Sequence, residues 1–326
     1  MKAIKRSMNN GNDTVEGGAD APRCDFFGRV RKAVIPAAGM GTRFLPVTKS
    51  VPKELLPIVD KPVLQFVVEE AVASGIDDVL IVTGRGKTAI EQHFDLHSAM
   101  SLSLREAGKG DVAAQLDGIA GDCRVYFVRQ ARPLGLGDAI RTARAHVGKE
   151  PFAVLLGDSI TDPAPGAAPG LRQLLDVHDR TGASVVAVQR VPRSDVMKYG
   201  IVDGQAEADD PALFRLRSLV EKPAPGRAPS DLAIQGRYVF TPQIFECIDQ
   251  TAAGKGGEIQ LTDAMNLLAG RQSMHALAWR ARRYDTGDRV EYAKAFIEFA
   301  LRRPELAGPL REYLQERLVA DGPKRP

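Results

Sequence analysis

The residues best suited to chemistry lie in the run 34–62, VIPAAGMGTRFLPVTKSVPKELLPIVDKP. An apolar strand leads there directly into a loop that contains Gly39 and Gly41. Three basic residues follow the loop: Arg43, Lys49 and Lys53. Glycines let backbone N–H groups approach phosphate oxygens, and cations neutralise the phosphate charge. The run therefore predicts a phosphate-binding site, although an ordinary strand-to-helix turn beside a solvated basic face has the same composition.

Two familiar phosphate-binding loops do not fit this run. A dinucleotide-binding loop, as found in oxidoreductases, needs a small residue where Phe44 stands, and a Walker loop needs Gly-Lys-Ser/Thr after its spacer. Prolines also prevent an α-helix from starting directly after the loop; they are Pro46, Pro52, Pro57 and Pro62. We therefore expect an extended, lid-like segment that carries the cations.

A second candidate is Asp158, at the end of the apolar run FAVLLGD. Open α/β sheets bind ligands at the carboxyl ends of their strands, and one or two protein carboxylates together with substrate phosphates usually hold Mg²⁺. The alternative is that Asp158 only caps the next turn. Ser159 follows it, and Asp162 comes three residues after that, so this loop gives little support for a second ligand.

The dipeptide Glu221-Lys222 in LVEKP is a third candidate. Adjacent residues on a strand point to opposite faces, so both line one site only if the chain bends, and Pro223 favours such a bend. The alternative is a surface ion pair. The histidines form no close-spaced metal set, and we expect them to pack or to face solvent; they are His93, His97, His146, His178 and His275.

Composition narrows the class of protein. The net charge is +3, from 44 basic and 41 acidic residues, so no strong field favours nucleic acid or an anionic membrane as a partner. The cysteines Cys24, Cys123 and Cys247 are far apart and odd in number, which argues against disulfides and a paired-cysteine zinc site. No apolar run approaches the roughly 20 residues that span a bilayer, and no signal-peptide pattern is present. We expect a cytoplasmic protein.

The elements that must position these residues begin near residue 30. Strands are predicted near 32–37, 78–83, 124–129 and 152–157, and helices near 63–74, 87–94 and 138–146. This alternation predicts a three-layer α/β/α fold with a mixed, largely parallel central sheet. The later half is less regular, with a helix near 171–181 and strands near 184–191, 213–220 and 235–241. Two final helices over 290–319 are expected to break near Pro304 and Gly308, and residues 1–29 have the composition of a disordered extension.

The run from Ala37 to Pro62 resembles the signature of the nucleotide-sugar pyrophosphorylases, and TKSVPKELLPIVDKP is similar to the bacterial UTP:glucose-1-phosphate uridylyltransferases in particular. The resemblance continues through VRQARPLGLGDAI, PFAVLLGDS, YGIV, LVEKP, APSDLAIQGRYVF, GGEIQLTDA and RRYDTGD, and it covers about residues 32–300. It implies a nucleotidyltransferase domain over 30–303, with a nucleotide-binding half over about 30–160 and a sugar-binding half over about 161–290. A C-terminal helix and tail over 304–326 would follow.

The resemblance implies transfer of UMP from UTP to the phosphate of glucose 1-phosphate, which gives UDP-glucose and pyrophosphate with Mg²⁺ as cofactor. The attacking group is already an anion, so positioning and charge neutralisation replace an activated nucleophile. A homodimer or homotetramer is also implied. Glucose-1-phosphate thymidylyltransferases share the glycine loop but usually lack the TKSVPKE spacing. A catalytically weak modulator paralogue is disfavoured because the charged candidate residues are intact.

Site roles follow from the same resemblance, residue by residue. The nucleotide would contact Ala37, Ala38, Gly39 and Gly41 in the loop, and its uracil edge would contact Gln130 and Gly135. Arg43 and Lys53 would face the β- and γ-phosphates. In the sugar half, Gly200 and Glu221 would contact the glucose, and Lys222 would hold its phosphate. The metal ligands would be Asp158 and Asp285.

Overall fold

The computed structural model describes residues 29–320, so all but one residue of the predicted N-terminal extension, and the last six residues, lie outside the described part of the chain. The strands are β1 (Lys32–Ala37), β2 (Pro57–Ile58), β3 (Lys61–Pro62), β4 (Asp78–Thr83), β5 (Arg124–Arg129), β6 (Phe152–Leu155), β7 (Ser159–Pro163), β8 (Ser184–Arg190), β9 (Gly200–Ala206), β10 (Leu213–Glu221), β11 (Leu232–Phe240), β12 (Met274–Ala278) and β13 (Ala281–Asp285). The helices are α1 (Val63–Ala73), α2 (Thr88–Phe94), α3 (Ser98–Glu106), α4 (Gly110–Asp117), α5 (Leu136–Thr142), α6 (Arg144–Val147), α7 (Gly170–Thr181), α8 (Ile244–Gln250), α9 (Leu261–Ala269), α10 (Arg289–Ala300) and α11 (Pro304–Ala320). None of the described helices is long and apolar enough to cross a membrane.

The main sheet is mixed, in the order β5-β4-β1-β6-β11-β8-β12-β10-β9. β5, β4, β1 and β6 are parallel neighbours, as are β8 and β12. β11 and β10 run antiparallel to their neighbours. The prediction of a mixed sheet is therefore confirmed, but its expected largely parallel character holds only for the first half. In the parallel half, Ala37 lies opposite Thr83 and Thr83 opposite Arg129, which brings the ends of three strands to one edge.

Both faces of this sheet are covered by helices. Alternate side chains of one strand enter different hydrophobic clusters, because successive residues of a strand point to opposite faces. On β1, Val34 packs in the cluster with α5, α8 and α9, whereas Ile35 packs in the cluster with α1, α2 and α7. Helix α1 buries five apolar side chains and ends before Gly75, whose φ of 93° confirms the predicted stop.

Two local predictions are wrong. The segment after the glycine loop is not extended but forms three 3-10 turns, Thr42–Phe44, Val47–Lys49 and Lys53–Leu55. Pro46 and Pro52 precede the second and third turns, since a proline fixes φ yet still permits a single turn. The C-terminal helices break only before Pro304, and α11 continues through Gly308. Proline is favoured at the first position of a helix, because the backbone N–H that it lacks would have no hydrogen-bond partner within the helix.

Candidate active site

The glycine-rich loop lies at the carboxyl end of β1 and contacts Lys53. A Cβ atom on Gly39 would lie 3.4 Å from Lys53 Nζ, and one on Gly41 would lie 3.1 Å from Lys53 Cβ. Gly41 also has a φ of 66°, and its carbonyl accepts a hydrogen bond of 2.8 Å from Thr48 Oγ1. Glycine is therefore favoured at position 41 by both its backbone conformation and the close approach of Lys53, whereas a side chain at position 39 would make only an ordinary contact with the end of the lysine.

A buried ion pair between Lys87 and Glu54 contacts the end of β1, directly before this loop. Lys87 Nζ donates hydrogen bonds of 2.9 and 2.8 Å to the two carboxylate oxygens of Glu54, and one of 2.6 Å to the carbonyl of Ala37. Glu54 is 1% exposed, and burial raises its pKa while burial lowers that of Lys87. The pair links the end of β1 to the turn that carries Lys53. Sequence reasoning missed it, although a glutamate within the apolar ELLP run was a usable signal.

Lys53 forms an ion pair with Asp158. Burial lowers the pKa of Lys53, but the carboxylates of Asp158 and Glu54 outweigh burial and raise it overall. Burial by itself would raise the pKa of Asp158, but the charge of Lys53 outweighs burial and lowers this pKa overall. The carboxyl group therefore stays ionised at pH values below the usual range for aspartate. Two residues that are 105 positions apart in the sequence thus meet in one charged pair.

Asp158 and Asp285 flank a single point. β7 pairs with β13 so that Asp285 lies opposite Ser159. A Cβ atom on Gly287 would lie 3.1 Å from one carboxylate oxygen of each aspartate. No group of three or more histidine, cysteine, aspartate or glutamate side chains within residues 29–320 could hold a metal. Two carboxylates completed by phosphate oxygens and water are a donor set that fits Mg²⁺.

The other charged candidates near this point have different surroundings. Arg43 Nη1 donates a hydrogen bond of 3.3 Å to the carbonyl of Gly287, the residue on which a Cβ atom would lie against the two aspartates. Arg43 does not line the cavities described below. Asp162 instead forms an ion pair with Arg302, which agrees with the weak support for a second ligand on its loop.

The nucleotide half contains two adjoining cavities, of about 390 and 340 Å³. Both are lined by Ala38, Gly39, Lys53 and Gln130. Gln130 Nε2 donates to Asp138 Oδ2 at 2.8 Å and to the carbonyl oxygen of Gly135 at 3.2 Å. The amide nitrogen is therefore engaged within the protein, and the amide oxygen is the group of this side chain that is left for a ligand.

Gly135 owes its place to a close contact with a distant segment. It has a φ of 92°, and a Cβ atom there would lie 2.8 Å from Glu258 Cβ. Ile259 N donates to the carbonyl of Leu134 at 2.8 Å, and Gly137 N donates to the carbonyl of Ile259 at 2.9 Å. The GGEIQLTDA block therefore packs on the start of α5, and its Glu258 lines the second cavity.

The sugar half contains a cavity of about 180 Å³ that shares Leu136 and Leu156 with the second nucleotide cavity. Its wall includes all three predicted sugar-binding residues, Gly200, Glu221 and Lys222, as well as Asp285. The two predicted halves of the site thus form a cleft of adjoining cavities, with Asp158 lining the predicted nucleotide side and Asp285 lining the predicted sugar side.

The bend that brings Glu221 and Lys222 into one wall lies at the lysine itself and not at Pro223. Lys222 has a φ of 45°, which is unusual for a residue with a side chain, and its N–H donates to the carbonyl of Tyr199 at 3.0 Å. Lys222 Nζ lies 3.4 Å from Glu221 Oε1. Thr262 Oγ1, which the sequence analysis did not single out, donates to Glu221 Oε2 at 2.7 Å.

A second buried ion pair, also missed from the sequence, supports the Asp158 loop. Arg237 is 0% exposed and donates to Glu70 Oε2 at 2.8 Å and to the carbonyl of Ser159 at 2.6 Å. A lone arginine in the apolar strand LAIQGRYVF was the available signal, because a buried arginine needs a carboxylate and carbonyl partners.

Comparison with known proteins identifies the family of this chain. The nucleotidyl transferase family model matches residues 32–300. A UTP–glucose-1-phosphate uridylyltransferase of Streptococcus pneumoniae serotype 4 is 50% identical over 287 residues, which is 88% of this chain and 95% of the relative. A crystal structure of UDP-glucose pyrophosphorylase with UDP-glucose is 39% identical, with a TM-score of 0.77 over 84% of this chain and 100% of that one. The UTP-bound UGPase of Acinetobacter baumannii is 35% identical, with a TM-score of 0.81 over 88% and 99% of the two chains. The chain therefore belongs to the nucleotidyl transferase family.

Proposed function

We propose that this protein transfers UMP from UTP to glucose 1-phosphate and releases UDP-glucose and pyrophosphate. The observation that carries the proposal is the cleft of adjoining cavities, in which two aspartates lie near one point, one lining a nucleotide cavity and the other lining the sugar cavity. The phosphates of both substrates have to meet at such a point. The relatives reported above carry this activity in their names. The match to this chain covers 95% of the first relative and 100% of the first solved structure.

In this proposal, UTP binds along the glycine loop. Uracil N3–H donates to the oxygen of Gln130, whose nitrogen is already engaged. Lys53 gives up its contact with Asp158 and moves to the phosphates, and Arg43 stabilises the leaving pyrophosphate from beside Gly287. Asp158 and Asp285 hold Mg²⁺, which neutralises charge on the reacting phosphates when it is bound. The contribution of the protein is positioning and fixed charge.

In the sugar cavity, Glu221 accepts hydrogen bonds from glucose hydroxyls, and Gly200 leaves room for the ring. A Cβ atom on Gly200 would lie 3.1 Å from Glu221 Oε2 and would fill this space. Lys222 binds the sugar phosphate and directs one of its oxygens at the α-phosphorus of UTP. No described histidine or cysteine lines the three cavities, which suits a reaction whose nucleophile is already an anion.

The finer features of the fold and assembly remain part of the proposal. Helices on both faces of the sheet support a three-layer α/β/α arrangement. The domain limits, the cytoplasmic location and the homodimer or homotetramer stay predictions from the sequence.

The direct test is to incubate the protein with Mg²⁺, a panel of nucleoside triphosphates and a panel of sugar 1-phosphates, while pyrophosphate release is measured. We expect the fastest release with UTP and glucose 1-phosphate, and a product that co-elutes with UDP-glucose. A clear preference for dTTP would instead assign the thymidylyl reaction. No release with any pair would support the modulator alternative.

A further inference from the structure

Arg283 lies where the two halves of the cleft meet, and the sequence analysis gave it no role. Its side chain is 9% exposed and lines the sugar cavity together with Lys222 and Asp285. Nε donates a hydrogen bond of 2.7 Å to Ser159 Oγ, and Nη2 lies 3.2 Å from Asp285 Oδ2. A nearly buried cation therefore touches the residue that follows Asp158 and also contacts Asp285.

Most N–H donors of the Arg283 guanidinium have no hydrogen-bond acceptor within the described part of the chain. An arginine offers five N–H donors, yet within residues 29–320 only Nε of Arg283 donates a hydrogen bond. Removing a cation from water is costly unless it is paired and hydrogen-bonded, and one shared carboxylate meets that need incompletely. The planar end of the side chain keeps donors for an anion that enters the cavity, in the geometry that suits two oxygens of one phosphate.

We propose that Arg283 is a second phosphate-binding residue for the sugar 1-phosphate, acting with Lys222; this inference rests on the function proposed above. The substrate phosphate has to lie between the sugar cavity and the aspartates, and Arg283 is in the cavity wall and in contact with Asp285. Lys222 is flexible and its side chain is 60% exposed, so it supplies charge. Arg283 is enclosed and supplies direction, since its fork fixes which phosphate oxygen faces the nucleotide.

The test uses Arg283→Met and Arg283→Lys, with Arg282→Met as the matched control. Arg282 is the preceding residue on β13, lies over the ring of Tyr284, and its Nη1 is 3.4 Å from Glu298 Oε1. Loss of a charge-assisted contact to phosphate should raise the KM for glucose 1-phosphate in Arg283→Met by about 10-fold or more. The KM for UTP should change by less than about threefold. Arg283→Lys should show a smaller rise, and Arg282→Met should match the wild type.

Ser159→Ala separates binding from support. It removes the hydroxyl that accepts from Nε and leaves the rest of the guanidinium in place, so glucose 1-phosphate saturation should stay near that of the wild type. The proposal is overturned if Arg283→Met raises the KM values of both substrates alike, or if Ser159→Ala reproduces its defect. Arg283→Lys kinetics decide the matter if Arg283→Met does not fold: an unchanged KM for glucose 1-phosphate then overturns the proposal. A wild-type protein that makes no UDP-glucose would refute the underlying function instead.

Discussion

The two lysines that are proposed to bind substrate phosphates are positioned by different means. Lys53 follows a parallel strand and its glycine loop, its side chain is 20% exposed, and it is paired with Asp158. Lys222 follows an antiparallel strand, its side chain is 60% exposed, and it depends on an unusual backbone conformation. The surroundings of Lys53 are thus organised by buried charge pairs, and the position of Lys222 by a local bend. The same residue type should fail differently when it is removed from each half.

The largest expected effect comes from the nucleotide side of the metal site. Asp158→Asn keeps the shape of the side chain and removes the charge that is proposed to hold Mg²⁺, so we expect turnover to fall by about 10²–10³-fold in a protein that still folds. Asp162→Asn is the control, because Asp162 belongs to the same strand region but pairs with Arg302. Initial rates over a range of Mg²⁺ concentrations provide the measurement. Near-normal turnover of Asp158→Asn would exclude it as a ligand.

Breaking the buried ion pair of Lys87 and Glu54 should lower the free energy of unfolding more than breaking an exposed pair. Lys87→Met leaves Glu54 buried without its cation, and we expect a loss of about 3 kcal/mol in the free energy of unfolding. Lys87→Met combined with Glu54→Leu should recover most of that loss. Lys61→Met is a matched control, since Lys61 also lies 2.8 Å from a glutamate but the pair is far more exposed, and it should cost less than about 1 kcal/mol.

Urea denaturation of the three variants and the wild type gives these values. Equal losses for Lys87→Met and Lys61→Met would contradict the prediction that a buried ion pair contributes more to the free energy of unfolding than an exposed one. A double variant no more stable than Lys87→Met would show that the contact with the Ala37 carbonyl, and not the unpaired glutamate, accounts for the loss.

A third prediction compares the two lysines directly, with losses of about 10-fold in affinity for each. Lys53→Ala should raise the KM for UTP in the forward reaction and for pyrophosphate in the reverse reaction. Lys222→Ala should raise the KM for glucose 1-phosphate and also slow turnover if the attacking oxygen is misplaced. Lys294→Ala on α10, where Lys294 pairs with Glu291, is the control. Steady-state kinetics in both directions test this, and exchanged patterns would reverse the two assignments.

The smallest effect concerns pH. The pKa of Asp158 is lowered, so its stabilising contribution is present above the ordinary aspartate value of about 3.9 and is lost as pH falls through the folded-state pKa. The pKa of Lys53 is raised, so its contribution is present below about 10.4 and is lost as pH rises through the folded-state value. The stability difference between wild type and Asp158→Asn should therefore be flat from about pH 5 to 9 and shrink in acid. Melting temperatures of both proteins, measured across this range and into more acidic buffers, test both the flat region and the loss in acid.

Much of the framework was predictable from local pattern. The strands β1, β4 and β5 and the helix α1 follow from apolar runs and a glycine stop, and a strand end predicted the place of Asp158. The direction of the later strands was not predictable, because pairing depends on contacts between distant residues. The same holds for the partners of Glu54 and Arg237, which are far away in sequence. A buried charge is visible in a sequence, but its partner is not.

The backbone conformation at Lys222 lowers the stability of the fold, while the lysine side chain is proposed to serve substrate binding. A left-handed conformation costs a residue with a side chain about 1–2 kcal/mol, and glycine avoids that cost. The conformation persists because the Lys222 N–H is bonded to the Tyr199 carbonyl and the neighbouring strands are paired. Glycine or asparagine at this position would suit the fold better than lysine does. Selection for heat resistance alone is therefore expected to replace Lys222, and the variants that melt at the highest temperature at this position would be those that bind the sugar phosphate least.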